Sequence, residues 1–363
     1  MMLSAGKGFI MQSDKYSKDN AGQSLKKYIL LKQGEIAYNH GASKLKQFGC
    51  CHELTAEEAR IPYVYHCFKV NNVESPSFVA LALNNPKIDK QLKRLVSSSV
   101  RMDGLLNISF DDYMSVIVPL PSYAEQKHIA NLLNKLDKRI EVQWNLVENL
   151  KKYKRGLLPD IFERRVSFSL SEDSSWEEVR LGDICKYRRG SFPQPYGLPE
   201  WYDEEKGMPF IQVADVTDSM SVNPDTNRHI SDKAKKQSVY IPKGTLIITL
   251  QGTIGRVAIT TYDAYIDRTL LIIQEIDKNI LQEFLMYALY MKFSEEKQTA
   301  DGSIIKTITK ETLTDFFIKV PPIKEQAKIV RTLMSLDARI RNEEMLLAEL
   351  YKCKSSLLQQ LFI

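Results

Sequence analysis

No apolar stretch in the 363 residues approaches the roughly 18 that a membrane span needs; the richest, Phe284 to Met291, is eight long, so no membrane is expected as a partner. The opening residues, Met1 to Gly8, hold no apolar core of signal-peptide length, which reads against secretion. Cysteine is scarce as well. Five of them, an odd number in no dense pattern, argue against a disulfide scaffold and fit a reducing cytoplasm. No Gly-x-x-x-x-Gly-Lys-Ser/Thr loop is present to cradle a nucleotide phosphate, and no Gly-x-Gly-x-x-Gly opens a helix after a strand. The pair of glycines in Gly252-Thr253-Ile254-Gly255 is too short for a phosphate cradle and reads as a hairpin or bulge.

Catalytic constellations are equally sparse. Glu204-Glu205-Lys206 and Glu295-Glu296-Lys297 faintly echo the acid-x-Lys of metal-dependent nucleases, but a chain with 26% charged residues produces such triplets by chance. Cys50-Cys51-His52 and His66-Cys67 gather five potential metal ligands, yet their spacing matches no two-pair zinc pattern, and buried thiols are the simpler expectation. His40 and His229 have no nucleophile or acid partner visible nearby in the sequence. No cofactor, metal or catalytic role is implied.

Charge is informative only by its distribution. The net +5 resolves into +4 over residues 1–121 (15 basic, 11 acidic) and +4 over 122–166 (10 and 6). Residues 167–321 carry −5 (18 and 23) and 322–363 carry +2 (7 and 5). Bulk charge therefore does not advertise a nucleic-acid binder, and any such surface must be locally clustered.

What the chain does have is a repeat. Leu120-Pro121-Ser122-Tyr123-Ala124-Glu125-Gln126-Lys127-His128-Ile129 aligns without a gap, at an offset of 200, with Val320-Pro321-Pro322-Ile323-Lys324-Glu325-Gln326-Ala327-Lys328-Ile329. The match continues through Leu136-Asp137 and Leu336-Asp337, Arg139-Ile140 and Arg339-Ile340, to Phe162 and Phe362. Positions 129, 133, 136, 140, 143, 147, 150, 154, 157 and 161, and their equivalents 200 residues on, alternate steps of four and three, the seam of a coiled coil. The polar members, Gln143/Glu343 and Lys154/Lys354, interrupt both copies at the same places. The alternative is an amphipathic helix lying on the core of its own domain. Fainter similarity extends upstream, between Phe78–Leu83 and Phe284–Leu289, between the Gly34 and Gly244 turns, and between 107–109 and 307–309. Tyr240–Leu250 and Ala264–Ile276 read as strands.

The fold expected is α+β: two tandem α/β globules, 1–121 and 167–321, each followed by a long helix, 122–166 and 322–363. The two helices would pack as an antiparallel coiled coil about a pseudo-two-fold axis. A helix of some forty residues is about 60 Å long, enough to hold two readers over half-sites about 34–36 Å apart on DNA.

These motifs resemble the specificity subunit of type I restriction–modification systems. The resemblance rests on the Pro-x(2–3)-Glu-Gln-x-x-Ile entries at Pro121…Glu125-Gln126…Ile129 and Pro322…Glu325-Gln326…Ile329, the Leu-Asp-x-Arg-Ile that follows each, and the opening Trp176-Glu177-Glu178-Val179-Arg180-Leu181-Gly182-Asp183-Ile184. It covers essentially the whole chain. It implies that each globule is a target-recognition domain for half of a split double-stranded DNA site. It also implies that the paired helices space the globules and dock methyltransferase subunits, through which the restriction and motor subunit joins, and that the chain itself does no chemistry. One departure stands out. Trp176 precedes Gly244 by 68 residues while only 33 precede Gly34, so the first globule is expected to lack roughly 35 residues, including an opening strand.

Candidate DNA contacts follow from chemistry: arginine suits guanine or phosphate, glutamine suits adenine. In the second globule these are Lys186, Arg188 and Arg189, then Gln194 and Tyr196, then Gln251, Thr253 and Arg256 about the glycine pair, with Lys233, Lys235 and Lys236 as a phosphate patch. In the first they are Asn39, His40, Ser43, Lys44 and Lys46. Pro121, Glu125, Gln126, Pro322, Glu325 and Gln326 are candidates for helix entry and subunit docking. The competing reading is a coiled-coil scaffold whose globules bind peptides, which the −5 charge of the second globule favours.

Overall fold

The computed structural model describes residues 1–4, 8–14, 28–41, 43, 46–96, 106–168, 175–299 and 310–362. It divides into two compact units: Met1–Leu146 with Glu343–Ile363, and Val147–Asn342. Neither unit has the bounds of an expected globule, because each takes in part of both long helices.

Unit 1 begins with the hairpin β1 (Met2–Ser4) and β2 (Gly8–Ile10), followed by β3 (Tyr28–Lys32), β4 (Ile36–Asn39), β5 (Cys50–Glu53), β6 (Glu58–Pro62) and β7 (His66–Phe68). β4 is the centre of a three-stranded antiparallel sheet between β5 and β7, and β3 pairs with β6. The turn into β4 pivots on Gly34, and the equivalent turn in unit 2 pivots on Gly244; their φ angles, +84° and +86°, are ones that only glycine adopts cheaply. Helix α1 (Pro76–Leu83) starts where Ser75 accepts from the Phe78 N–H, and α2 (Pro86–Leu95) where Asn85 accepts from that of Lys87. Both have proline at the first position, where a missing N–H costs nothing. A short α3 (Phe110–Met114) precedes α4 (Tyr123–Phe162).

Unit 2 opens with β8 (Glu177–Arg180), α5 (Leu181–Ile184) and β9 (Cys185–Arg189). Next come β10 (Met208–Ile211), β11 (Arg228–Ile230), α6 (Asp232–Lys235), β12 (Val239–Ile241), β13 (Leu246–Thr249), β14 (Val257–Ile259), β15 (Ala264–Ile266) and β16 (Leu270–Ile276). They form two four-stranded sheets, ordered β14-β13-β16-β9 and β11-β10-β15-β12, with β10 and β15 the parallel pair. The strands expected over 240–250 and 264–276 are these, each broken by a turn. Helix α7 (Gln282–Thr299) and α8 (Lys310–Thr314) lead to β17 (Phe317–Val320), which pairs antiparallel with β8, and to α9 (Ile323–Leu361).

The long helices pair antiparallel within each unit. In unit 1, Lys354 of α9 bonds Asp137 of α4, and Gln143 Nε2 donates to the Glu343 carboxylate at 2.7 Å. In unit 2 the equivalent residues make the equivalent bond, Lys154 to Asp337, and the Tyr287 hydroxyl donates to the same carboxylate at 2.7 Å. The anticipated seam is buried at 129, 133, 140, 143, 147, 154 and 161. Its end turns face a globule as well as a helix. Ile129 and Leu133 pack with Phe78 and Phe362, and Ile329 and Leu333 pack with Phe284, Leu158 and Ile161. Both readings of the pattern thus hold, on different turns of the same helix.

The two equivalent ion pairs differ in surroundings. Lys154 and Asp337 side chains are 10% and 14% exposed, Lys354 and Asp137 28% and 39%. Burial pulls the Lys154 ammonium below the ordinary lysine value, and Asp337 pulls it back up. Removing one partner of a buried pair strands the other charge. Lys154→Ala should therefore cost about 3–5 kcal/mol in urea unfolding, whereas Lys354→Ala, screened by solvent, should cost about 1 kcal/mol or less.

Candidate nucleic-acid interface

The entry motif works through its glutamine. Gln126 and Gln326 are 1% and 0% exposed. Gln126 Oε1 accepts from the Ser75 N–H at the start of α1 (2.9 Å), while its Nε2 donates to the Pro121 carbonyl (2.9 Å) and to Glu74. Gln326 Oε1 accepts from the Leu281 N–H at the start of α7 (2.9 Å), and its Nε2 donates to the carbonyls of Pro321 and Asn279, both at 2.9 Å. In each unit one amide ties the first turn of the long helix to the first turn of the helix packed on it. Ser122 caps α4 through the Glu125 N–H, and Pro322 immediately precedes α9. Glu325 is buried and accepts from the Trp176 indole at 3.3 Å, whereas Glu125 is exposed. Gln126, Glu325 and Gln326 were also candidates for subunit docking; being buried inside their own units, they present no surface, and their role is the junction.

In unit 2 the recognition candidates separate into free and engaged groups. Alternation on the edge strand β9 sends Cys185 and Tyr187 inward and Lys186 and Arg188 outward, with Arg189 also exposed at its end. Lys186 pairs with Glu275 at 2.7 Å; Arg188 and Arg189 have no acidic partner among the described residues. Gly190 N–H bonds the Leu270 carbonyl, which brings the loop carrying exposed Gln194 and Tyr196 against residues 267–270. There the buried Asp267 organises three chain segments. Its carboxylate accepts from the Tyr196 hydroxyl (2.9 Å) and from the Thr269 N–H (2.9 Å) and hydroxyl, and Gln212 Nε2 donates to the Tyr196 oxygen at 2.6 Å. Burial, then the Asp267 charge, raises the Tyr196 hydroxyl above the usual tyrosine value, so it remains a donor. The Leu250 N–H bonds the Thr269 carbonyl, which sets exposed Gln251 and Thr253 beside the same cluster. Arg268 is exposed, with its guanidinium 5.7 Å from the Tyr196 ring centre and no ion pair among the described residues. Gln212 and Arg268 were not singled out in the sequence.

Several candidates are occupied elsewhere. Arg256 forks onto Asp218 (2.6 and 3.0 Å) and donates to the Val216 carbonyl (2.8 Å), so it fixes a loop and is not free to meet DNA. Lys233 pairs with Glu200, and Lys235 with Asp232 at 2.6 Å, which leaves Lys236 of the proposed phosphate patch without an acidic partner among the described residues. In unit 1, His40 is 4% exposed and its ring nitrogens face the carbonyls of Leu106 (3.1 Å) and Val64 (2.8 Å): it is a core residue, not a contact. Asn39 accepts from the Gly41 N–H, and Ser43 and Lys46 close a turn on one another. The Lys46 ammonium donates to the Asn84 carbonyl at the end of α1. Lys44 lies outside the described residues.

The cysteine–histidine runs form no metal-holding group of three or more His, Cys, Asp or Glu among the described residues. Cys50 and Cys51 are buried, which pushes their thiols up to about 11 and about 12. His52 is lowered to about 4, by burial first and then by Lys46 and Lys354.

Among the described residues no helix is long and apolar enough to cross a membrane. Tandem α/β units, each anchored by a buried glutamine to one of two paired long helices, with a loop cluster bearing arginine, glutamine and tyrosine, define a class of modular recognition protein. Residues 173–352 match the type I restriction modification DNA specificity domain. Along 95% of its length the chain is 24% identical to the MjaX specificity subunit of Methanocaldococcus jannaschii, of which it covers 81%. It is 27% identical to the type I restriction enzyme EcoBI specificity subunit of Escherichia coli over 67% of its own length and 55% of that protein. In fold it is similar to the type I restriction–modification S subunit from M. genitalium (TM-score 0.59, 17% identity, 93% and 85% of the two chains). A chain from a solved structure on complex assembly and conformational transition of the type I R-M system is also similar (TM-score 0.56, 19% identity, 92% and 82%). Residues 173–352 thus carry a type I restriction modification DNA specificity domain, and the chain as a whole is similar to type I restriction enzyme specificity subunits.

Two outcomes follow. Arg256→Ala should lower the stability of unit 2 by about 1–3 kcal/mol, while Arg188→Ala and Arg189→Ala, on exposed side chains, should leave the melting temperature within about 2 °C of the parent. For His52 the folded value lies below the ordinary 6.5, so its contribution is intact above pH 6.5 and is lost as pH falls toward 4. His52→Gln should flatten that decline in urea midpoints by at most about 1.4 kcal/mol per pH unit.

Proposed function

We propose that the chain is the sequence-specific DNA-recognition subunit of a type I restriction–modification complex. It reads a bipartite double-stranded site, holds methyltransferase subunits on its paired helices, and joins the restriction and motor subunit through that assembly. It acts in the cytoplasm and carries out no chemistry of its own; adenine methylation and cleavage belong to its partners. The observation that carries this reading is the duplication itself. The same glutamine-anchored helix entry occurs in both units, with the same lysine–aspartate bond between the long helices.

In unit 2 the reading surface is the cluster around Asp267. Arg188, Arg189 and Arg268 supply positive charge near the exposed Gln194, Tyr196, Gln251 and Thr253. Arginine gives salt-dependent phosphate affinity or bidentate contact to guanine, and glutamine can pair with adenine in the major groove. Local clustering of this kind is compatible with the −5 charge of residues 167–321, because Arg188, Arg189 and Arg268 have no acidic partner among the described residues while Lys186, Lys233, Lys235 and Arg256 do.

Co-expression with the methyltransferase subunit encoded beside it, followed by single-molecule mapping of methylated adenines, tests the proposal. A split motif with a fixed gap is expected. The double variant Arg188→Ala/Arg189→Ala should relax or abolish one half of that motif only and flatten the salt dependence of binding by a slope of at most about 1.8. Equal loss at both halves would sink the assignment of these residues. Failure to co-purify with the methyltransferase subunit would favour a scaffold that binds other proteins.

A further inference from the structure

In unit 1, Asn39, His40, Ser43 and Lys46 are engaged within the fold. The unit nonetheless carries positive charge, and that charge is unevenly spread. Residues 1–121 hold 15 basic and 11 acidic residues, a net +4, and every residue of the stretch enters that sum. Helix α2 (Pro86–Leu95) holds four of the basic residues, Lys87, Lys90, Lys93 and Arg94, and one acid, Asp89, a net +3. The rest, 11 basic and 10 acidic, comes to +1. One short helix therefore carries almost the whole excess. The equivalent place in unit 2 has no such concentration. Helix α7 continues past Phe284–Leu289, the match to α1, and its residues 290–299 hold two lysines and two glutamates. There Lys292 bonds Glu296 at 3.0 Å.

A turn of about 100° per residue sorts α2 into faces. Ile88 and Leu92, 3% and 2% exposed, point into the core. Lys87, Lys90 and Arg94 are exposed and fall within about 60° of one another on the solvent side. Exposed Lys93 lies on the flank, about 120° round from Lys87. The one acid, Asp89, is about 160° away, half-buried, with its charge met by Lys46. Lys87, Lys90 and Arg94 have no ion pair among the described residues. The backbone beneath them is pinned at both ends. Asn85 accepts from the Lys87 N–H (2.8 Å) and donates to the Leu358 carbonyl of α9 (3.3 Å). Gln91 accepts from the Ile117 N–H (3.0 Å) and donates to its carbonyl (2.8 Å).

The chemistry of this face selects among partners. A protein partner would be met by an apolar centre from which lysine is depleted. Helix α2 contributes no exposed large hydrophobic side chain, and its solvent side is a row of cations. That composition fits a duplex, whose interfaces are polar and strongly positive on the protein side. Spacing agrees. Seven helical residues separate Lys87 from Arg94 by about 10.5 Å along the axis. One DNA strand presents a phosphate about every 3.4 Å of rise, so the row spans about three of them. Because the backbone is already fixed, only the ends of the side chains remain to be ordered on contact.

We propose that the Lys87–Lys90–Arg94 face of α2 is a phosphate-binding surface of unit 1, which holds the backbone of double-stranded DNA without reading its sequence. The inference rests on DNA recognition by the chain and adds a contact of another kind to it, one that positions the duplex and does not specify it. Its contribution to affinity is electrostatic, equal for all sequences, and lost as salt rises.

The test takes the full chain co-purified with its methyltransferase subunit and measures affinity over a range of salt for labelled duplexes, one bearing the mapped split motif and one of unrelated sequence. Lys87→Gln/Lys90→Gln/Arg94→Gln should weaken binding to both duplexes about ten-fold or more and lower the salt slope by up to about 2.7, or about 0.9 per phosphate contact. The methylated motif should stay the same, and the melting temperature should stay within about 2 °C of the parent. Lys87→Arg/Lys90→Arg/Arg94→Lys, which keeps the charge, should bind as the parent does. Unchanged affinity and slope in the glutamine variant would overturn the inference and leave recognition by unit 2 standing. An altered motif would also overturn it, since these residues would then read bases. So would loss of the methyltransferase subunit on purification, since the face would then hold protein. A parent complex that binds neither duplex at any salt would overturn the DNA reading itself, and this inference with it.

Discussion

A primary amide shut away from water must find partners for both its carbonyl and its NH₂ group, and this requirement at Gln126 and Gln326 governs the architecture. An unmet buried polar group costs roughly 1–3 kcal/mol. Each glutamine meets the requirement only when the long helix, the helix packed on it and the proline-containing turn are in fixed relation. Hydrophobic packing alone would tolerate sliding along α4 or α9. The amide does not, so each set of recognition loops inherits its position from the helix it is attached to.

The same logic recurs at smaller scale around Asp267. A carboxylate 2% exposed is held by Tyr196 and Thr269 from two segments, and Gln212 joins from a third. Under the reading proposed for this cluster, fixing its loops before they meet DNA favours affinity, because ordering a side chain on binding detracts from it. The cluster is rigid at its base and leaves Arg188, Arg189, Arg268 and Gln251 exposed at its rim.

What could be read in the sequence was whatever repeats locally. The four-three spacing from Ile129 to Ile161, and its copy 200 residues on, marked the long helices; the repeated Pro…Glu-Gln…Ile entries carried the family resemblance, and the glycine turns at 34 and 244 marked the strand entries. What could not be read was which charges are already spoken for. Arg256 meets Asp218 across 38 residues and Lys46 meets Asn84 across the same distance, so no local pattern announces either. His40 looked available because its two carbonyl partners lie 24 and 66 residues away. Arg268 was missed for the opposite reason: alone between Asp267 and Thr269 it forms no basic cluster, and only the fold sets it over Tyr196.

The two units are also unequal as products of synthesis. Unit 2 is one continuous stretch, Val147–Asn342, whereas unit 1 needs Glu343–Ile363 to complete it. Phe362 fills the core made by Phe78, Ile129 and Leu133, and the Leu358 carbonyl accepts from Asn85. At some 5–20 residues per second, the ribosome would have the second unit assembled while the first still waited with an open core. The usual order, first made and first folded, is reversed for this part of unit 1, whose core around Phe78 closes only once Phe362 has been made.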